Sequence, residues 1–471
     1  MIKIALPAGD LRTPVSNILD SAGLRVEGYG EGSRTYILSV GGHEDVVARV
    51  FRERDIPIQI ALGNYDLGVC GLAWIEELRV RFPQHPVALL RDMGVGRLGL
   101  YVASAADGGR ELSSLGGRRG LRIASEYPNL AETFALAARL PAYRVQPVSG
   151  AAEAYPPEDA DLAVIAAADE AAVSAQGLVP LHRLLDGSAW LIANAGSLTR
   201  KDLSPLLDLL ARGTSGGETP RLRLPPPLPP EAGKQPAAPS RAETLRMALP
   251  DGHQQRHVVA ALRDAGLLPP QGYDESQCLR RPESPIEGLE IKVIRPQDMP
   301  QLVATGEMDL AVTGRDCVME HLSRFPSSPI EEVVDLKRSP YDLAAVVSEE
   351  VAASDLSGAL EHWRAQGRQV IRVASEFPGI ADSYARSRHL GRYQVIPIAG
   401  ASEGFVPEDA ELLIEGTETG KTLVENRLRA IELLFRSTTR LIAGKGRKFR
   451  GRRREVFDHV LSALRSSAKA A

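Results

Sequence analysis

The sequence predicts an α/β protein written twice in one chain, and three observations carry that prediction. Short β-rich runs alternate with helical patterns, two strand-like runs end in glycine, and the second half of the 471 residues echoes the first. In chain order, IKIALP at 2–7, DLGVCG at 66–71, LGLYVA at 98–103 and DLAVIA at 161–166 read as strands, with helical patterns such as AETFALAARL at 131–140 between them. Strands separated by helices predict parallel sheets, whose ligands bind at the carboxyl edge. At this length, with 44% hydrophobic and 25% charged residues, a single small domain and wholesale disorder are both excluded.

The repeat is specific. IALPAGD at 4–10 returns as MALPDGH at 247–253, and RDIPIQIALGNYDLGVCG at 54–71 as QDMPQLVATGEMDLAVTG at 297–314. RIASEYPNLAETFA at 122–135 returns as RVASEFPGIADSYA at 372–385, and VSGAAEAYPPEDADL at 148–162 as IAGASEGFVPEDAEL at 398–412. The expected organisation is a first copy at 1–213, a Pro-rich linker at 214–241 and a second copy at 242–471. The linker prolines remove amide donors and favour extended backbone, so the linker is expected neither to pack alone nor to fix the interface.

Charge and cysteine usage exclude several classes. The 56 Lys and Arg nearly balance 60 Asp and Glu, for a net charge of -4, which speaks against a general nucleic-acid binder. The basic run GKGRKFRGRRR at 444–454 reads as a solvated strip. Cys70, Cys278 and Cys317 show no CxxC spacing, so they read as structural thiols in a reducing compartment. The beginning of the chain has no leader-like pattern and no apolar run is long enough to span a bilayer, so the expectation is a cytoplasmic protein without a membrane partner.

The stretch ELLIEGTETGKTLVENRLRAIELLF at 411–435 reads as strand, Gly/Thr loop and amphipathic helix, an arrangement that offers backbone N–H groups to a phosphate. Glu418, Thr419, Gly420, Lys421 and Thr422 form the candidate loop, and Glu415 stands upstream as an acceptor for ribose hydroxyls. The matching stretch of the first copy places Ile165 at the position of Glu415, Asp169 at Thr419, Glu170 at Gly420 and Ala172 at Thr422. Two carboxylates there repel a dianion.

These segments together resemble ATP phosphoribosyltransferase, the enzyme that opens histidine biosynthesis. The resemblance rests on ALPAGDL, EGSRTYIL, RERDIP, DMGVGRLGLYVAS, ASEYPNL and SGAAE in the first copy, and on VIRPQDMP, DLAVTGRD, ASEFPGI, AGASE and EGTETGKTLVENRL in the second. It implies two tandem bilobal copies of the type II periplasmic-binding-protein fold, like two short-form subunits fused, without a counterpart of the long form's regulatory domain. The first lobe of the first copy is expected at about 1–94 plus 180–213. The implied substrates are ATP and phosphoribosyl pyrophosphate, with Mg2+ as cofactor. The implied assembly is an intramolecular pseudo-dimer, with a regulatory subunit or homo-oligomer as further partners.

The resemblance also implies that arginines of one subunit reach the phosphoribosyl pyrophosphate held by the other. Arg34 of the SR motif, Arg52 of RERD and Arg97 of the GVGR turn are present in the first copy, and Arg295 of RPQD in the second, where Gln277 replaces the SR arginine. Arg34, Arg52 and Arg295 are therefore the expected catalytic residues, and Arg97 an expected substrate contact. One composite site is predicted, with the loop from the second copy and Arg34 and Arg52 from the first. Both copies lack the family's KGR, reading Ala8, Gly9, Asp10 and Asp251, Gly252, His253. His253 reads as a solvent-facing turn histidine, or alternatively as a replacement cation. The competing functions are a non-catalytic nucleotide or phosphoribosyl pyrophosphate binding or regulatory protein, and a phosphoribosyltransferase for another base.

Overall fold

The computed structural model describes residues 1–30, 32, 33, 35–106, 108–212, 221–229, 244–267 and 269–470. Each half folds into two lobes. In the second half, one sheet runs Leu289–Ile294, Leu245–Pro250, Leu310–Gly314, Thr439–Gly444, Ile330–Asp335. The other runs Tyr393–Pro397, Ile371–Ser375, Leu412–Thr417, Tyr341–Ser348, Leu428–Ser437. The first half repeats both orders. Its first lobe runs Val46–Phe51, Ile2–Pro7, Leu67–Gly71, Ala189–Asn194, Val87–Asp92, extended beyond Val46–Phe51 by Ile37–Val40 and Val26–Glu27, and its second Ala142–Pro147, Arg119–Ser125, Leu162–Ala167, Leu98–Ala105, Leu178–Gly187.

The sheets are mixed, not parallel as the alternation suggested. Ile2–Pro7 pairs parallel with both neighbours, but Ala189–Asn194 lies antiparallel to Leu67–Gly71 and Val87–Asp92. The chain leaves the first lobe, builds the second and returns, so the returning strand enters its sheet from the opposite end. An order in which that strand sits between the third and fourth is the type II binding-protein arrangement. The return occurs later than expected. Leu178–Gly187 pairs along its length with Leu98–Ala105, so it belongs to the second lobe and the crossing falls at Ser188.

Within each half, a carboxylate fastens one lobe to the other. Glu77 accepts the N–H groups of Asn129 (2.8 Å) and Leu130 (2.9 Å), at the start of the helix Pro128–Ala137. Glu320 does the same for Gly379 and Ile380, both at 2.9 Å, in the first turn of Pro378–Ser387. These amides have no partner inside their helices, and the positive helix end favours the anion.

Between halves, the first lobe of each packs on the second lobe of the other. Phe51 stacks edge-on against Phe405 (4.9 Å) and Tyr65 (5.1 Å), in a core shared with Val406, Ala410 and Leu413. On the opposite side, Tyr155 and Ala160 share a core with Met299, Leu302 and Met308.

Residues 221–229, inside the expected linker, dock on the first half. Arg223 N–H bonds Leu184 O (2.8 Å), Leu228 N–H bonds Ala138 O (3.1 Å), and Leu222 and Leu228 touch the core. The rest of that linker, 214–220 and 230–241, lies outside the described residues.

The basic run after Gly444 is not a freely solvated strip. Arg447 (3.4 Å) and Arg453 (2.6 Å) both reach the buried carboxylate of Asp309, because an anion at the foot of an apolar strand requires a cation. Cys70 and Cys317 are buried free thiols, whereas Cys278 is exposed. Among the described residues no helix is long and apolar enough to cross a membrane.

Candidate active site

The strand Leu412–Thr417 delivers Glu415 to its carboxyl edge and runs into the Gly/Thr loop. The following helix is Lys421–Glu425 only, and RLRAIELLF, expected to continue it, forms the strand Leu428–Ser437. Asn426 ends the helix and Arg427 takes a left-handed φ of 54°, which turns the chain back onto the sheet. Gly420 has φ +72°, and a Cβ there would meet nothing within 4 Å, so its backbone is open to a close ligand. Its N–H bonds Thr417 Oγ1 (3.0 Å), and that of Lys421 bonds Thr419 Oγ1 (3.4 Å). Glu418, Thr419 and Lys421 are exposed and Thr422 is half-buried.

Three carboxylates converge below this loop. Glu415 bonds the hydroxyl of Ser402 and the N–H of Gly416 (3.0 Å). Loss of bulk water, then the charges of Glu376 and Glu403, push its pKa up to about 8. Confinement also raises Glu376, against the opposing pull of Arg52.

Arg52 comes from the first half. A Cβ on Gly400 would fall 2.9 Å from its Nε and 2.7 Å from Glu376 Oε1, and among the described residues no carboxylate pairs with its guanidinium. Asp55 of the same motif accepts the N–H of Ala399 (2.9 Å), which anchors Arg52 over the other half. Tyr36 N–H donates to Asn426 Oδ1 (3.0 Å) at the end of the loop helix, which places Tyr36 beside the loop. Arg34 itself lies outside the described residues.

The mirror-related cleft has the same frame and different chemistry. Asp169 accepts the N–H of Ala172 (2.7 Å), so a carboxylate of the chain occupies the anion position and caps the helix Glu170–Ala175. Ile165 is buried where Glu415 stands in the other half. Arg295 sits over Gly150, but Asp251 holds it at 3.2 Å. Arg280 pairs with Glu153 (2.7 Å) and Asp251 (2.8 Å). Asp298 accepts from Ser149 N and Oγ and from Tyr155 Oη.

Of the expected residues, the structure thus gathers Arg52, Glu415 and loop residues 418–422 in one cleft. Two corrections follow. Arg295 belongs to the mirror cleft, because pseudo-symmetry carries each RxxD arginine to the opposite half. Arg97 lines a cavity of about 330 Å3 with Ala168, Arg183 and Ser188 of its own half, beside the degenerate loop rather than the open one.

Sequence reasoning missed Arg12, whose guanidinium bonds Ser33 O (2.8 Å) and Gly28 O (3.3 Å) and so ties both to the first helix. It also quoted SEFP and GASE without assigning their carboxylates, Glu376 and Glu403. Their recurrence in both copies was the available signal.

Fold and cleft together define a bilobal α/β protein with a Gly/Thr loop at the lobe boundary, faced by an arginine from the other half. The family profile described as ATP phosphoribosyltransferase (HisG) matches two segments, 52–212 and 295–466. The chain belongs to the ATP phosphoribosyltransferase family. It is 33% identical over 214 residues to the ATP phosphoribosyltransferase of Rubrobacter xylanophilus, covering 45% of this chain and 91% of that one. It is 31% identical over 209 residues to the enzyme of Symbiobacterium thermophilum, covering 43% and 85%. Among solved structures it matches a chain of the ATP phosphoribosyl transferase (HisG:HisZ) complex from Thermotoga maritima, with 20% identity, TM-score 0.38, and coverage of 48% and 98%.

Proposed function

We propose that this chain is an ATP phosphoribosyltransferase, joining N1 of the ATP adenine to C1 of the phosphoribosyl group with release of pyrophosphate, the first step of histidine biosynthesis. It works through one composite site per chain, the product of an internal duplication. Loop residues 418–422 hold the 5′-phosphate, Glu415 faces the ribose hydroxyls, and Arg52 with Arg34 faces the pyrophosphate from the first half. The ring nitrogen is already nucleophilic, so the protein's task is alignment and stabilisation of charge on the leaving group.

One observation carries the reading. The open loop of the second half faces an arginine with no carboxylate partner among the described residues, whereas the mirror cleft has closed its loop with Asp169 and neutralised its arginines. Among the described residues no cluster of His, Cys, Asp or Glu forms a metal cage. Mg2+ is proposed to enter on the substrate's phosphate oxygens, as suits a hard cation that keeps its waters. A cytoplasmic location is part of the same proposal.

Calorimetry with phosphoribosyl pyrophosphate and Mg2+, followed by a pyrophosphate-release assay with ATP, tests it. The expected result is one bound molecule per chain and turnover with ATP. A stoichiometry of two refutes the single composite site, and binding without turnover selects a sensor.

A further inference from the structure

We propose that the first turn of the helix His253–Asp264 carries a second anion subsite in the working cleft, where Arg256, flanked by His253 and His257, takes the di- or triphosphate chain of a substrate. This deepens the transferase reading and rests on it for the identity of the substrates.

The geometry is that of a held cation awaiting an anion. Arg256 Nη2 lies 3.0 Å from His253 Nε2, and its Nε donates to His257 Nε2 at 3.2 Å. The two imidazoles pack with centroids 5.4 Å apart. Burial, then the neighbouring Arg256 and His253, hold His257 below its ordinary range, which suits an acceptor for the guanidinium. Two of the five guanidinium N–H groups are thus used, and among the described residues no carboxylate pairs with Arg256. By contrast, Arg263, two turns on, pairs with Glu275 at 3.3 Å.

The cluster belongs to the first lobe, yet Glu418 of the phosphate loop, on the second lobe, approaches His253 Nε2 to 3.5 Å. The basic turn therefore faces the loop across the cleft mouth. A carboxylate already stands beside the cluster, and a phosphate chain offers more charge and more acceptor oxygens to the remaining N–H groups of Arg256.

The cluster is confined to the half with the open loop. In the first half, Asp10, Thr13 and Pro14 take the places of His253, Arg256 and His257. Both halves lack basic residues around the preceding glycine; in the next turn the first half carries Arg12, which is engaged by the carbonyls of Ser33 and Gly28, whereas the second has Gln255 there and carries Arg256 one residue on, beside two imidazoles.

The test uses the full chain and inorganic tripolyphosphate as probe, read by calorimetry, alongside KM for ATP and for phosphoribosyl pyrophosphate. Arg256 is exposed, so Arg256→Gln leaves the fold intact. It is expected to weaken tripolyphosphate binding about tenfold or more and to raise one KM comparably, with kcat within about threefold. A rise confined to ATP assigns the triphosphate, and one confined to phosphoribosyl pyrophosphate assigns its pyrophosphate. Glu418→Gln, which removes the competing carboxylate, is expected to tighten tripolyphosphate. Arg263→Gln is expected to change neither binding nor KM.

The subsite is overturned if the wild-type chain does not bind tripolyphosphate, if Arg256→Gln binds it as the wild type does, or if Arg263→Gln loses as much. If the wild type releases no pyrophosphate while tripolyphosphate binding still depends on Arg256, the transferase reading fails and the subsite stands. If it turns over and Arg256→Gln is kinetically silent, the reverse holds.

Discussion

Two pseudo-equivalent glycines allow the composite site to be tested with the backbone cost held constant. A Cβ on Gly400 would lie 2.9 Å from Arg52 Nε and 2.7 Å from Glu376 Oε1, and one on Gly150 would lie 2.5 Å from Arg295 Nε. Both glycines have positive φ, +119° and +146°, so alanine at either strains the backbone by about 1–3 kcal/mol. Only at Gly400 does the displaced arginine serve the open loop. A charge-assisted hydrogen bond is worth about 1.5–3 kcal/mol, so moving Arg52 lowers kcat/KM roughly 10- to 150-fold. Gly150→Ala loosens Arg295 from Asp251 in the cleft to which the proposal assigns no chemistry, and kcat/KM is expected to stay within about twofold of wild type. Pyrophosphate release and denaturant unfolding are measured on both variants. Comparable losses of stability with a kinetic loss only for Gly400→Ala are expected. Equal loss of kcat/KM in the two refutes the assignment of the working cleft.

Arg34→Ala, Arg52→Ala and Gly420→Glu are each expected to abolish measurable turnover. Mixing Arg52→Ala with Gly420→Glu restores almost none of it, because the site forms within one chain, and substantial recovery shows pairing between chains. Asp169→Ala removes the cap on Ala172 N–H, costing about 1 kcal/mol in denaturant unfolding while leaving pyrophosphate release unchanged. The pH dependence of stability has a definite sign. Glu415 at about 8, Asp55 at about 7 and Asp298 at about 6 keep protons that the unfolded chain gives up near pH 4. The folded state therefore binds more protons between about pH 4 and 8, and these groups lower the thermal midpoint as pH rises through that window. Glu415→Gln flattens its upper end, and an unchanged pH profile in that variant rejects the raised pKa.

The repeat, the glycine-ended strands and the contrast between open and degenerate loops were legible because they are local in sequence. What escaped has a structural cause. RLRAIELLF looked helical because its apolar residues do not alternate, and the strand it forms carries two register shifts against Tyr341–Ser348. Each bulge inserts a residue, so period two is lost without a helix being gained. The counterpart Leu178–Gly187 has two shifts as well, which hid the end of the second lobe. The role of Arg447 and Arg453 depends on Asp309, more than a hundred residues away, and no local charge pattern reveals such a partner. Arg52 was identified by its motif, and only the fold shows that the same motif carries Arg295 to the other cleft.

The two sides of the pseudo-dimer are held together by different chemistry, and this accounts for the asymmetry of the clefts. On the working side, Tyr65 Oη donates to Asp409 at 2.8 Å, Arg49 pairs with Glu408, and Phe51 packs on Phe405. On the other side Met308 takes the place of Tyr65, and Asp159 is met by Arg246 (2.8 Å) and Lys292 (2.6 Å). Glu158 there takes Lys292 (2.8 Å) and Arg281 (2.9 Å), which hold its pKa down to about 2 against the effect of burial. Removing one partner of a buried ion cluster costs about 3–5 kcal/mol, because the others remain charged without water, so such a cluster fixes register even where it adds little net stability. Arg280, Glu153, Asp251 and Arg295 extend this network through the mirror cleft, where each charge meets an opposite charge of the chain itself. A cleft that must bind a polyphosphate has to keep cations unpaired, which works against the docking of two halves. With the halves fused in one chain, one side can hold the register while the other leaves Arg52 without a carboxylate partner among the described residues.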